Sequence, residues 1–247
     1  MRTKLAAMLS VAFLAAVPVR ADDADARAIV DKAIKVMGGE AELGKWKAFT
    51  SKIKGDIHTQ GLKIAFTGDL ATQGADQEKI SLELDIDGQK FPVVEVLNRT
   101  RGWVKIAGET TEMDRETLAE TLEQAHAGWV TSLVPLKDKA FTLATVGDVQ
   151  VDGKPAVGVR VSHAGRRDVN LFFDKATHLL VKTEARVKDD ESGKEMTEET
   201  FMHGYDGKDV QTALKLTVER DGELYLEAEL FDAKLEEKLD DGVFAMP

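Results

Sequence analysis

"VNLFFDKATHLLVKTEARVK", Val169 to Lys188, reads as an extended arm, a tight turn and a second extended arm. Val169, Leu171 and Phe173 on the first arm answer Leu179 and Val181 on the second, the period of two expected of strands buried on one side. What covers that apolar side decides the fold, because most of the chain repeats the pattern and little of it is helical.

Upstream, Ile53 and Ile57, then Leu62, Ile64 and Phe66, then Ile80, Leu82, Leu84 and Ile86, then Val94, Val96 and Trp103 lie in runs with mostly polar residues between them. Asp87-Gly88, Ala107-Gly108, Asp152-Gly153 and Asp221-Gly222 mark short hairpin turns. Val157, Val159 and Val161 precede the opening hairpin, and strands over Glu195–Tyr205, Leu214–Glu219 and Glu223–Glu236 follow it. The total is about eleven to thirteen strands, mainly antiparallel because the connections are short.

Two helices interrupt them. Asp23–Met37 sets Ala26, Ile29, Val30, Ala33, Ile34 and Met37 on one face and stops at Gly38-Gly39. Asp114–Leu133 is capped by Asp114, carries Leu118, Leu122, Ala125, Trp129 and Leu133 at helical spacing and ends before Pro135.

Eleven antiparallel strands at about 4.8 Å spacing make a sheet on the order of 50 Å wide, and a helix covers about 10 Å of it. Such a sheet either folds into a two-layer sandwich with no hollow, or curls into an incomplete barrel whose concave side holds a cavity wherever the helices do not fill it.

Residues 1–21 have the form of a secretory signal peptide: Arg2 and Lys4, an apolar run Leu5–Val17 too short to span a bilayer, and small residues at Val19 and Ala21. Its removal takes away Arg2, Lys4 and Arg20, leaving 30 basic against 44 acidic residues, a net charge of −14, over one expected domain, residues 22–247. That charge argues against nucleic acid. The chain has no cysteine, hence no disulfide framework and no lipidated cysteine. A periplasmic, unanchored monomer with no transmembrane segment is expected.

Catalytic signatures are absent. His58, His126, His163, His178 and His203 are scattered without metal-ligand spacing and read as surface or turn histidines. No G-x-S-x-G elbow, P-loop or dinucleotide fingerprint occurs. Acidic runs such as Asp189-Asp190-Glu191 and Asp240-Asp241 read as solvated turns. No cofactor, metal or enzymatic activity is expected.

"IVDKAIKVMGGEAEL", "AFTSKIKGDI", "LFFDKATHLLVKTEARVKD" and the terminus "KLDDGVFAMP" together resemble the exported LolA-like lipoprotein carriers and outer-membrane lipoprotein-sorting proteins. The resemblance implies a half-barrel of about eleven strands, helices lidding its concave face, and a cavity for lipoprotein acyl chains or another apolar ligand, with donor and acceptor envelope proteins as transient partners. The chain departs from the family's turn at His178, where glycine is usual. Candidate cavity-lining residues are Leu82, Leu84, Val94, Trp103, Leu118, Leu122, Trp129, Leu171, Phe173 and Val181. The competing reading is a non-catalytic envelope scaffold of the same fold, its interior filled by its own side chains.

Overall fold

The computed structural model describes residues 23–189 and 193–247; the expected signal peptide, residue 22 and residues 190–192, within the acidic run expected as a solvated turn, lie outside them. Among the described residues thirteen strands form one antiparallel sheet. They are β1 (Ala48–Thr59), β2 (Leu62–Gln73), β3 (Gln77–Ile86), β4 (Gln89–Asn98), β5 (Arg101–Ile106), β6 (Glu109–Glu112), β7 (Phe141–Val151), β8 (Lys154–His163), β9 (Val169–Asp174), β10 (Leu180–Lys188), β11 (Glu195–Asp206), β12 (Thr212–Arg220) and β13 (Glu223–Glu236). The order β6-β5-β4-β3-β2-β1-β13-β12-β11-β10-β9-β8-β7 joins two meanders through the β1–β13 pair. The edges β6 and β7 do not pair, so the sheet is an open, curled half-barrel with two strands beyond the eleven of the family pattern.

Local chemistry sets these elements. Asp87-Gly88 has φ of 52° and 80°, and Asp221-Gly222 has 48° and 81°, the two left-handed positions of a type I′ hairpin turn. In the β9–β10 hairpin the Asp174 carboxylate accepts from the backbone N–H groups of Ala176 (2.9 Å) and Thr177 (2.7 Å). His178 takes the left-handed position at φ 60°, a conformation histidine adopts at modest cost.

α1 (Asp23–Met37) lies against the inner face of the β7–β10 end. Its Ala26, Val30, Ala33, Ile34 and Met37 pack with Leu143, Val159, Val161, Leu171, Phe173 and Leu180 into the main core. Asp23 and Arg27 fix the docking. Asp23 Oδ1 accepts from Leu143 N–H at 3.1 Å, while Arg27 donates to the carbonyls of Leu136 (3.0 Å) and Phe141 (2.8 Å). α2 (Glu40–Leu43) is a single turn after it. α3 (Arg115–Val130), followed by a 3₁₀ turn at Val134–Lys137, carries the chain from β6 at one edge of the sheet to β7 at the other.

The convex face has its own cover. After β13 the chain makes a 3₁₀ turn at Asp241–Phe244, and Phe244, fully buried, packs on Ala71, Val96 and Trp103. Side-chain amides bind this segment across three strands. Gln73 Nε2 donates to Gln77 Oε1 (2.8 Å), Gln77 Nε2 to Asn98 Oδ1 (3.1 Å), and Asn98 Nδ2 to the Phe244 carbonyl (3.1 Å).

Candidate functional site: a cavity under the helical cover

The cavity follows from strand register. Phe49, Thr72, Glu78 and Leu97 are cross-strand partners on β1 to β4 and share one face, as do Leu70, Ile80, Glu95 and Val104 one step along. This is the concave face. Ala71, Lys79, Val96 and Trp103 form the alternate row on the convex side.

α3 covers the concave face with two unlike sides of its own. Asp114 caps it, accepting from Glu116 N–H (3.0 Å) and Thr117 N–H (2.8 Å). Glu116, Glu120 and Glu123, nearly aligned along one side, bind the opposite half of the sheet. Glu116 meets Lys188 Nζ at 2.9 Å, Glu120 takes both Nη atoms of Arg167 at 2.8 Å and the Lys188 N–H at 2.9 Å, and Glu123 takes Arg166 at 3.2 Å and the Arg167 N–H at 2.8 Å. Burial pushes the Glu120 carboxyl up, but Arg167 and the Lys188 amide outweigh it and hold it below the usual range. Leu118, Leu122, Ala125 and Trp129 occupy the other side of the helix. Leu118 approaches Gly102 so closely that a Cβ there would press on it, and Met113 would collide outright.

Between α3, the end of α1 and the middle of the sheet lies a cavity of about 910 Å³, toward the upper end of the roughly 300–1,000 Å³ range of small-molecule sites. Its wall is mostly apolar: Met37, Leu43, Trp46, Phe49, Leu70, Ala125, Trp129, Phe141, Val187, Met202, Leu216 and Leu230. Tyr205 lines it as well, its hydroxyl donating to the Leu180 carbonyl at 2.6 Å.

Of the residues singled out from sequence, Trp129 lies on this wall. Leu82 and Leu84 share the concave face but sit beyond the enclosed volume, where it runs out to Phe91 and Ile106, 39% and 55% exposed. Leu118 and Leu122 are half-buried on the α3 side facing β4 and β5. Leu171 and Phe173 point inward but are sealed under α1.

Three others lie on the outer face. Trp103 and Val94 pack against the C-terminal segment in the Phe244 cluster, because alternation sets them opposite Leu97 and Glu95. Val181 is turned outward by a bulge between Leu180 and Lys182, so that Leu180 takes the inward position opposite Phe173 and Val181 joins Phe172 and Phe201 outside.

Sequence reasoning also missed a cluster at the cavity wall. His126, 4% exposed, stacks on Phe141 with ring centroids 6.1 Å apart and planes 7° apart, and His163 lies 4.8 Å from Phe141 and 5.5 Å from His126. Trp129 completes it, 5.9 Å from both His126 and Phe141. These two histidines are packing residues, where scattered surface or turn positions were expected. Burial lowers the His126 pKa, Arg166 and His163 lower it further, and Glu123 opposes them. Among the described residues no group of three or more His, Asp or Glu is placed to hold a metal, and no helix is long and apolar enough to cross a membrane.

No family model matches the chain, and no curated protein matches it in sequence. Solved structures do match it over most of its length. A LolA superfamily protein from Nitrosomonas europaea is 12% identical, with 89% of this chain and 97% of that one covered at a TM-score of 0.57.

The fold is LolA-like.

A DUF1329 family protein from Desulfovibrio piger is similar at 12% identity, 89% and 97% coverage and a TM-score of 0.58. A domain from Vibrio parahaemolyticus described as outer membrane lipoprotein-sorting is similar at 10% identity, 87% and 97% coverage and a TM-score of 0.52. Sequence identity this low speaks for the LolA-like fold alone. In that frame the cavity lies between the curled sheet and its helical cover.

Proposed function

We propose that the protein is a non-catalytic carrier of an acyl chain or another extended apolar group, acting in the periplasm after export, with envelope proteins as transient donor and acceptor. The observation that carries this reading is the cavity of about 910 Å³ under α3, walled by Met37, Phe49, Leu70, Trp129, Met202 and Leu230 and left unfilled by the protein's own side chains. The scaffold reading needs a filled interior.

Enclosing about 300 Å² of acyl chain at about 25 cal/mol per Å² gives roughly 7–8 kcal/mol before the entropy of binding is charged against it. That is enough to hold a guest and still release it. The acidic stripe of α3 supports a cover held from one side: its ion pairs reach the β8–β9 connection and the end of β10, while Ala125 and Trp129 of its apolar side stand over the cavity.

Mass spectrometry of lipids extracted from protein purified without detergent, together with displacement of a fluorescent acyl probe, tests the reading. The carrier predicts a co-purifying lipid and saturable displacement. Neither lipid nor displacement would leave the scaffold reading in possession of the fold.

A further inference from the structure

Glu78 is the odd residue in the wall. It stands in phase with Ile80, Leu82 and Leu84 on β3, between Thr72 on β2 and Leu97 on β4, and lines the cavity. The other charged groups of the wall are committed or solvated. Arg167 is held by Glu120, Glu123 by Arg166, and Glu198 by Arg220 at 2.9 Å, while Arg186, Lys47 and Asp138 are exposed. Glu78 is half-buried and has no hydrogen-bond or ion-pair partner among the described residues. Its charged neighbour is another acid, Glu95, diagonally placed on β4 and in contact with the Thr121 hydroxyl at 3.5 Å. From α3, Thr121 meets Glu95, and Gln124 and Glu123 reach the cavity wall, Glu123 already paired with Arg166.

A carboxylate drawn out of bulk water without a partner is costly, and a second carboxylate beside it adds to the cost. Burial, with Glu95 adding to it, pushes the Glu78 carboxyl up to about 7. A cation placed here offsets both penalties. A third carboxylate worsens them.

Resting on the carrier reading, we propose that Glu78 holds the head of the guest and that this head is an ammonium group, so that the cavity selects amine-bearing amphiphiles over uncharged or carboxylate ones of the same chain. The apolar wall supplies affinity for any such chain, and Glu78 supplies the choice among heads.

The test sets dodecylamine, dodecanol and dodecanoate in competition against a neutral fluorescent acyl probe on the exported form of the protein at pH 8, where Glu78 is ionised. The expected order is amine, alcohol, carboxylate, with the amine at least about tenfold tighter than the alcohol, as a charge-assisted hydrogen bond requires. Glu78→Gln brings the amine to the level of the alcohol, and its cooperative urea unfolding shows that the variant is folded. An amine no tighter than the alcohol in the wild-type protein overturns the head-group assignment while the carrier reading stands, as does an amine preference that survives Glu78→Gln. Binding of none of the three overturns both.

Discussion

Arg167 grips Glu120 through Nη1 and Nη2, each 2.8 Å from a different carboxylate oxygen, and so ties the covering helix to the connection between β8 and β9. The Glu120 side chain is 7% exposed and that of Arg167 27%. A forked pair with so little solvent access holds its geometry better than a surface ion pair. Removing one partner leaves the other short of its hydrogen bonds. Arg167→Ala is expected to lower unfolding stability by about 2 kcal/mol, measured by denaturant titration, and to speed amide exchange along α3 more than along α1.

Trp129 and Trp103 make a matched pair of tests, since one lies inside the wall and the other outside. Trp129→Ala is expected to weaken binding of an acyl probe in a protein that still unfolds cooperatively. Trp103→Ala opens a hole under Phe244 and is expected to cost about 3–5 kcal/mol of stability, with probe affinity unchanged in the fraction that remains folded. Calorimetry and fluorescence titration on the same samples separate the two.

Acid should loosen the cover. Burial holds His126 neutral in the fold, its pKa below the ordinary histidine value of about 6.5, so the unfolded chain binds more protons as the pH falls through that value. The stability it contributes is present above pH 6.5 and is lost progressively as the pH drops toward the lowered folded value. Protection of the amides at the end of α3, taken relative to their intrinsic exchange rates at each pH, should fall between pH 7 and pH 5 in the wild-type protein. His126→Phe, which keeps a ring against Phe141, should flatten that fall.

Glu78 works in the opposite sense. Burial raises its folded pKa to about 7, above the ordinary glutamate value of about 4.5, so the folded state holds the proton more tightly and stability declines as the pH climbs from about 4.5 to about 7. Glu78→Gln should therefore stabilise the protein above pH 7, on the order of 2 kcal/mol for a half-buried side chain on the cavity wall, and make little difference near pH 4. Urea unfolding at the two pH values decides it.

The course of the backbone was legible because local rules set it. Apolar spacing places α1 at Asp23–Met37, Asp114 caps α3, the Asp-Gly turns fall where strands reverse, and His178 takes its left-handed position in the β9–β10 turn. The wall of the cavity was less legible, because it depends on which face of each strand the curl turns inward. Val94 and Trp103 alternate as cleanly as Leu82 and Leu84, and nothing local marks their face as the convex one. The Leu180/Lys182 bulge reverses the phase for Val181, and an apolar pattern carries no sign of an inserted residue. On α3, the polar Glu120 and His126 are among the buried residues, at 6% and 4% exposure. Their partners lie far away in sequence, at Arg167 and His163. Glu78 could have been found, as a charged residue in step with Ile80, Leu82 and Leu84.

A closed barrel has a girth fixed by its number of strands and their stagger. Here β6 and β7 end free, and a helix, not a hydrogen-bonded ladder, spans the distance between them. Small changes of twist spread over the twelve strand pairs can therefore move the two margins apart or together without breaking a backbone hydrogen bond. The width of the interior becomes a spring-like quantity, set by how firmly the acidic stripe of α3 holds the far side, and on the carrier reading proposed above one shell adapts to guests of unequal bulk.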